Sequence, residues 1–305
     1  MQLNKDICAI IANNIHYKKY ELVDWIDTNK LNWMWLSLNP NAIELLTENQ
    51  DKINWGFLSS NPNAIELLTN NQDKIDWRWL SSNPNAIELL KNNQDKINWT
   101  WLSCNVNAIE ILRENQDKIW YPLLSSNPSA IELLRENQDK INWNLLCKNS
   151  AAIDLLKENY DKINWDILCT YTTDIAFLEA NYNKINWETL SRNPNAISLL
   201  TKNQDKIDWE ILSSNPNAID LLRKNLNKTD TYILSMNSNA INIIKENMHE
   251  IHWYAIQANE NPEAIELLRN NQDKIDWIKL SMNKSIFNIL DRKHQIIKLV
   301  ELLLS

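Results

Sequence analysis

Few positions in this chain carry side chains whose type and spacing could do chemistry. His249 and His252 stand three residues apart, a spacing that on a helix would set both imidazoles on one face, within reach of a metal. Both fill Asp and Asn positions of a recurring unit, in a stretch that reads as a turn, so no metal site is expected there. Cys8, Cys104, Cys147 and Cys169 form no C-x-x-C pair, and Cys147 and Cys169 lie 22 residues apart. Stacked helices sit about 8–10 Å apart, beyond the roughly 4.4–6.8 Å between bridged Cα atoms. Small buried thiols are therefore expected, not a disulfide. Gly56 is the only glycine, which excludes Gly-rich phosphate loops, dinucleotide fingerprints and nucleophile elbows. Carboxylates such as Glu44, Glu66 and Glu88 recur at one position of the unit, the pattern of a solvated face. No catalytic residue, cofactor or metal is expected, and the chain reads as a protein that is not an enzyme.

Contact surface is the chemistry that remains. The residue after each recurring Trp varies freely, through Met34, Gly56, Arg78, Thr100 and Pro122 to Asp166, Glu188 and Glu210. Free variation implies no packing demand, so this row is expected to face solvent, where solenoids bind. The next position reads Trp35, Phe57, Trp79 and Trp101 before turning to Leu123 and Leu145. This aromatic ladder, with Arg78 beside it, is a candidate border for a protein-binding surface. The alternative is a wider core, and burial equal to that of Trp55 and Trp77 would decide for the core. A second candidate is the irregular middle. There Trp120 stands at a capping position, Tyr160 and Tyr182 replace Gln, and Tyr171 replaces Asn. A contact patch requires the three tyrosines to lie together. Lys91, Arg113, Arg135 and Lys157 also recur 22 apart and would align into a basic row, which keeps a nucleic-acid-associated factor as the alternative. The net charge of -8 and the interleaved Glu114, Glu136 and Glu158 argue against it, because nucleic-acid affinity rests on neutralising phosphates.

These rows exist because the chain is a tandem array. A clean unit runs from Asn39 to Ser60, and its anchor Trp recurs at 33, 55, 77, 99, 143, 165, 187 and 209. Asn39 reads as an N-cap, with Pro40 at the first helical position. Ala42, Ile43, Leu45 and Leu46 form the apolar stripe of a helix of about three turns. Asn49 is expected to end it in the left-handed conformation, replacing the usual Gly. Asn54 then caps a shorter helix carrying Trp55, Phe57 and Leu58. A leucine-rich horseshoe would need a strand alternating with period two, which Trp55 to Ser60 lacks. One unit cannot bury its own apolar face, so neighbours must stack. The expected fold is an all-α solenoid of about twelve 22-residue two-helix repeats (long helix plus short helix or 3-10 turn), wound as a right-handed superhelix. Residues 1–30 are expected to form an N-terminal helical cap, 31–284 the solenoid, and 285–305 a capping helix. The apolar surplus of 285–305 would also allow self-association. No apolar run reaches 18 residues, so no membrane span is expected, and the N-terminus lacks a secretory pattern.

The wording of the unit carries a resemblance. Asn83-Pro84-Asn85-Ala86-Ile87-Glu88-Leu89-Leu90, followed by Asp95-Lys96-Ile97-Asn98-Trp99, resembles the short Asn-Pro-Asn-Ala-Ile tandem repeats abundant in proteins of mimivirus-like giant viruses of amoebae. The match spans about residues 30 to 284, and 150–151, 172–176 and 226–232 depart from it. That family has no established activity. The resemblance implies origin and repeat architecture, and hence a protein of the host cytoplasm or virus factory, not secreted. The expected function is a non-catalytic scaffold or adaptor that binds a host or viral protein.

Overall fold

A computed structural model of the chain describes residues 20–290. Its repeating element is an anchor helix followed by a long helix and a 3-10 turn, as in Trp55–Ser60, Ile65–Thr69 and Gln72–Lys74. The expected cap at Asn54 is present: its Oδ1 accepts the Phe57 N–H at 3.0 Å. Two other local expectations need correction. The long helix begins at Ile43, and Asn39-Pro40-Asn41 forms a separate turn before it, where Asn39 Oδ1 accepts the Asn41 N–H at 3.1 Å. Among the described long helices only Pro262–Arg269 starts as expected, with Asn261 as cap and Pro at its first position. Asn49 is not left-handed either. Its φ is -130°, and no residue among those described has positive φ. The Asn49 side-chain amide donates to the Leu45 carbonyl at 2.9 Å, so a free helix-end acceptor is satisfied without any unusual backbone.

The freed Asn39-type amide joins units together. Asn61 Nδ2 donates to the carbonyls of Ser37 and Asn39 in the preceding unit, at 3.0 and 3.1 Å. Asn83, Asn105, Asn127 and Asn149 repeat this pattern, and the asparagines are buried. A second ladder runs through serine. Ser37 Oγ accepts the Asn54 backbone N–H at 3.0 Å, and Ser59 does the same for Asp76. A third places lysine over the anchor ring: Lys52 lies 4.6 Å from the Trp33 centroid and Lys74 4.5 Å from that of Trp55. Between the layers lie Ala42, Leu46, Leu58, Leu68 and Leu80, all fully buried.

The same three ladders close the chain on itself. Asn39 Nδ2 donates to the Asn283 carbonyl at 3.1 Å, the Asn32 N–H donates to Ser281 Oγ at 2.8 Å, and Lys30 lies 5.0 Å over Trp277. Strand β1 (Tyr20–Leu22) pairs antiparallel with β2 (Phe287–Ile289), with Leu22 opposite Phe287. Trp25 packs edge-on to Trp277 at 6.4 Å, and Arg269 pairs with Asp24. The array is thus a ring, and the expected superhelix returns to its start. Twelve anchor helices, from Trp33–Leu36 to Trp277–Leu280, make the circuit. Eleven units are continuous. The twelfth is assembled from both ends: residues 277–290 give its anchor helix and one strand, and residues 20–31 give the other strand and its lysine turn. The described parts of the two expected caps are therefore one shared unit, with a strand pair in place of the long helix. The remainder, 1–19 and 291–305, lies outside the described residues, as does the proposed self-association segment beyond Leu290.

Anchor helices define the inner wall. Successive anchor helices such as Trp55–Ser60 and Trp77–Ser81 approach each other more closely than successive long helices do, so the stack bends toward them. Aromatic rings on neighbouring anchor helices converge further, with Trp35–Phe57 at 5.5 Å and Trp79–Trp101 at 5.6 Å.

Candidate partner-binding surface

On each anchor helix the third and fourth residues after the Trp, such as Leu36 and Ser37, point back into the core and are buried. The first, second and fifth therefore face the central opening. Twelve helices spaced at about 8–10 Å enclose a circle of about 31–39 Å. Subtracting one helix diameter of about 10–12 Å leaves an opening of about 20–28 Å.

The variable row faces solvent at most of its positions: Met34, Arg78, Thr100, Asn144, Asp166, Glu188, Glu210, Tyr254 and Ile278 are exposed, while Gly56, Pro122 and Tyr232 are half-buried. The aromatic ladder is a different case. Trp35, Phe57, Trp79 and Trp101 fall in the same half-buried class as Trp55 and Trp77, so the condition set for a binding row is not met and the ladder is corrected to packing of the wall. Their packing is distinct, however. The anchors pack against the buried core, and the ladder residues pair two by two along the inner wall, Trp35 stacked on Phe57 and Trp79 tilted against Trp101. Arg78 reaches over Trp79 at 5.3 Å and lies 3.8 Å from Asp76.

Closure adds a surface that the linear order hides. Tyr254 and Ile278 near the C-terminal end and Met34 near the N-terminal end occupy one row of three consecutive units. Met282 flanks them one helical turn away. Their exposures are 50%, 55%, 40% and 43%. Beside them Lys279 donates to the Tyr254 carbonyl at 3.1 Å and lies 3.9 Å over its ring; burial holds its pKa below the usual lysine value. The stretch runs on into the Trp35 ladder, giving an apolar arc across the seam. Reading the variable row found three of its members. Their adjacency could have been suspected from Thr28-Asn29-Lys30-Leu31-Asn32-Trp33, which ends a unit, and Asn283-Lys284-Ser285-Ile286, which begins one.

The irregular tyrosines do not form one patch. Tyr160 opens the 3-10 turn before the helix Trp165–Tyr171, which Tyr171 closes. A seven-residue helix separates its ends by about 10 Å, so Tyr171 sits on the opposite rim. Tyr160 and Tyr182 share a rim and tie units together: their hydroxyls donate to Asn181 at 2.8 Å and Asn203 at 2.7 Å. Trp120 is exposed and caps nothing through its side chain. The basic row sits on the long helices among carboxylates: Lys91 lies 3.4 Å from Glu88, Arg135 pairs with Glu158, and Lys157 lies 2.7 Å from Asp174. His249 is exposed on a turn beside Glu250, and His252 packs edge-on to Tyr232 at 4.7 Å. No group of three or more His, Cys, Asp or Glu is placed to hold a metal ion among the described residues. No helix among them is long and apolar enough to cross a membrane.

No protein-family model, curated protein or solved structure matches the chain.

Proposed function

We propose that this ring is a non-catalytic protein–protein interaction scaffold. The observation that carries the reading is the exposed apolar surface at the seam, formed by Tyr254, Ile278, Met282 and Met34. Large exposed apolar groups lying together mark binding surfaces more often than solvated ones, and methionine and aromatic side chains adapt to a partner's shape. From the resemblance to giant-virus repeats we further propose that the partner is a host or viral protein of the cytoplasm or virus factory of an infected amoeba. The test is affinity capture from infected and uninfected amoeba lysates with the full chain and with an Ile278→Ser, Tyr254→Ser variant. A protein held at near-stoichiometric amounts by the native ring and lost with the variant is the expected result. Capture of nothing, or of the same proteins equally by both, would overturn the reading.

A further inference from the structure

The ring is not equally apolar all round, and its twelve units relate each position to one six units away. Met34 faces Asp166 across the opening; in the next two units Gly56 and Phe57 face Glu188 and Thr189, and Arg78 and Trp79 face Glu210 and Ile211. Tyr254 and Ile278 face Pro122 and Asn144, so the carboxylates lie toward one side of the seam. The apolar arc that runs from Tyr254 and Ile278 through Met34 to Trp35 thus has a row of carboxylates across the opening from its Met34 end, with Arg78 as a cation beyond that end. Asp166 accepts a hydrogen bond from the Asn186 side chain at 2.8 Å, and Glu188 and Glu210 have no ion-pair partner among the described residues. Lys148 and Arg192 lie on the same arc one helical turn further along, toward the other rim, so the carboxylates form a band near the rim where the anchor helices begin.

Size narrows the occupant further. A folded domain of about 100 residues has a radius of gyration of about 13 Å and is wider than an opening of about 20–28 Å. An α-helix is about 10–12 Å across and fits. Seated on the apolar arc, it leaves a gap on the order of 10 Å to the carboxylates, comparable to the screening length of about 8 Å at physiological salt. Lysine or arginine side chains on its outer face would reach into that gap. From this arrangement we infer that the central opening binds a helical protein segment with one apolar face and one basic face. The inference rests on the interaction-scaffold reading and specifies its partner class. Apolar contacts with the seam supply affinity, and the carboxylate band sets orientation and favours cationic over anionic helices.

The probe is an 18-residue leucine–lysine peptide with helical apolar spacing, fluorescently labelled and titrated against the full chain. A glutamate-for-lysine version is the charge control. The lysine peptide should bind at least tenfold more tightly than the glutamate peptide, and more weakly as salt is raised. Ile278→Ser with Tyr254→Ser should weaken it at least tenfold. Glu188→Lys with Glu210→Lys should bring the two peptides within about threefold of each other. Glu110→Lys with Glu132→Lys on the outer wall changes net charge equally and should leave the preference in place. All four are exposed carboxylates, and near-ultraviolet circular dichroism checks each fold. Equal binding of the two peptides, or the same loss from inner and outer charge variants, overturns the inference. The lysine peptide should also compete with the protein captured from lysate. If capture persists without competition, the inference fails and the scaffold reading stands; if nothing is captured, the reading itself fails.

Discussion

Lys30 lies 5.0 Å over the ring of Trp277, 247 residues further along the chain. The contact repeats that of Lys52 with Trp33 and Lys74 with Trp55. A geometry used between neighbours in sequence is used once more between the two ends, which makes the seam a unit interface like the others.

Closure predicts a short distance between the ends. Spin labels on Cys variants of Asn29 and Met282, both exposed, should give one narrow, short distance. An open stack of twelve units would hold them about 100 Å apart. Asn39→Ala removes the donor to the Ser281 and Asn283 carbonyls and should cost about 1–3 kcal/mol, as expected when buried acceptors lose their partner. Asn105→Ala, in the continuous part of the ring, should cost a similar amount in denaturant melts.

The tenth unit has lost both members of its lysine–tryptophan pair. Thr231 occupies the anchor position, and Glu250 stands where lysine would cover it. Both line a cavity of about 20 Å³ with Leu226 and Ile243. Thr231→Trp should raise stability by filling this space. Adding Glu250→Lys should contribute a further ~0.5–1 kcal/mol of coupling, the worth of an exposed cation–π contact. A double-mutant cycle by thermal melting measures it, and additive effects would show that no such contact forms.

Tyr121 replaces an anchor Trp, and its buried hydroxyl has no hydrogen-bond partner among the described residues. Tyr121→Phe should therefore leave stability unchanged or raise it by up to about 1–3 kcal/mol, the cost range of an unsatisfied buried polar group. The Lys140 contact, 4.6 Å from the ring centroid, is kept in the variant. Chemical denaturation compares the two.

Asp174 predicts acid sensitivity in the irregular seventh long helix, Ile175–Ala180. Its side-chain bond with Lys157 and the Phe177 N–H that it accepts hold its carboxyl below the ordinary aspartate value. A depressed folded-state pKa contributes stability above the unfolded value, near 3.9, and loses it as pH falls through the folded value. Asp174→Asn keeps a capping oxygen and loses the charge. The advantage of native protein over this variant should be full at neutral pH and disappear below about pH 4, measured by melts across pH.

Cys147 and Cys169 replace the ladder serine. Cys147 Sγ accepts the Asn164 N–H at 3.4 Å, and burial raises both thiol pKa values. Both should react with iodoacetamide only as fast as the ring opens. Cys147→Ser restores an oxygen acceptor at this step of the ladder and should slow local exchange of the Asn164 amide.

Much of the repeat was legible because each unit position has one physical demand. Asn54 must cap, Leu58 must fill the core, and Met34 has no packing duty, so it varies. Asn39 and Asn49 were misread because asparagine has several roles with the same local signature. Local pattern favours a cap or a left-handed helix end. The structure instead sends the Asn39 amide to the preceding unit and folds the Asn49 amide back to Leu45. The ladder residues Trp35 and Trp101 were placed on the right helix and face, but their exposure did not set them apart from the anchors.

The sequence by itself determined the unit, its two helices, and which residue of each turn is core or solvent, because these depend on contacts within a few residues. Ring closure depended on tertiary structure. The angle between stacked units is a small quantity set by side-chain packing across every interface, and only its sum over twelve units brings Tyr20 beside Ile289. That sum also joined Tyr254, Ile278 and Met34 into one surface and set its Met34 end across the opening from Asp166.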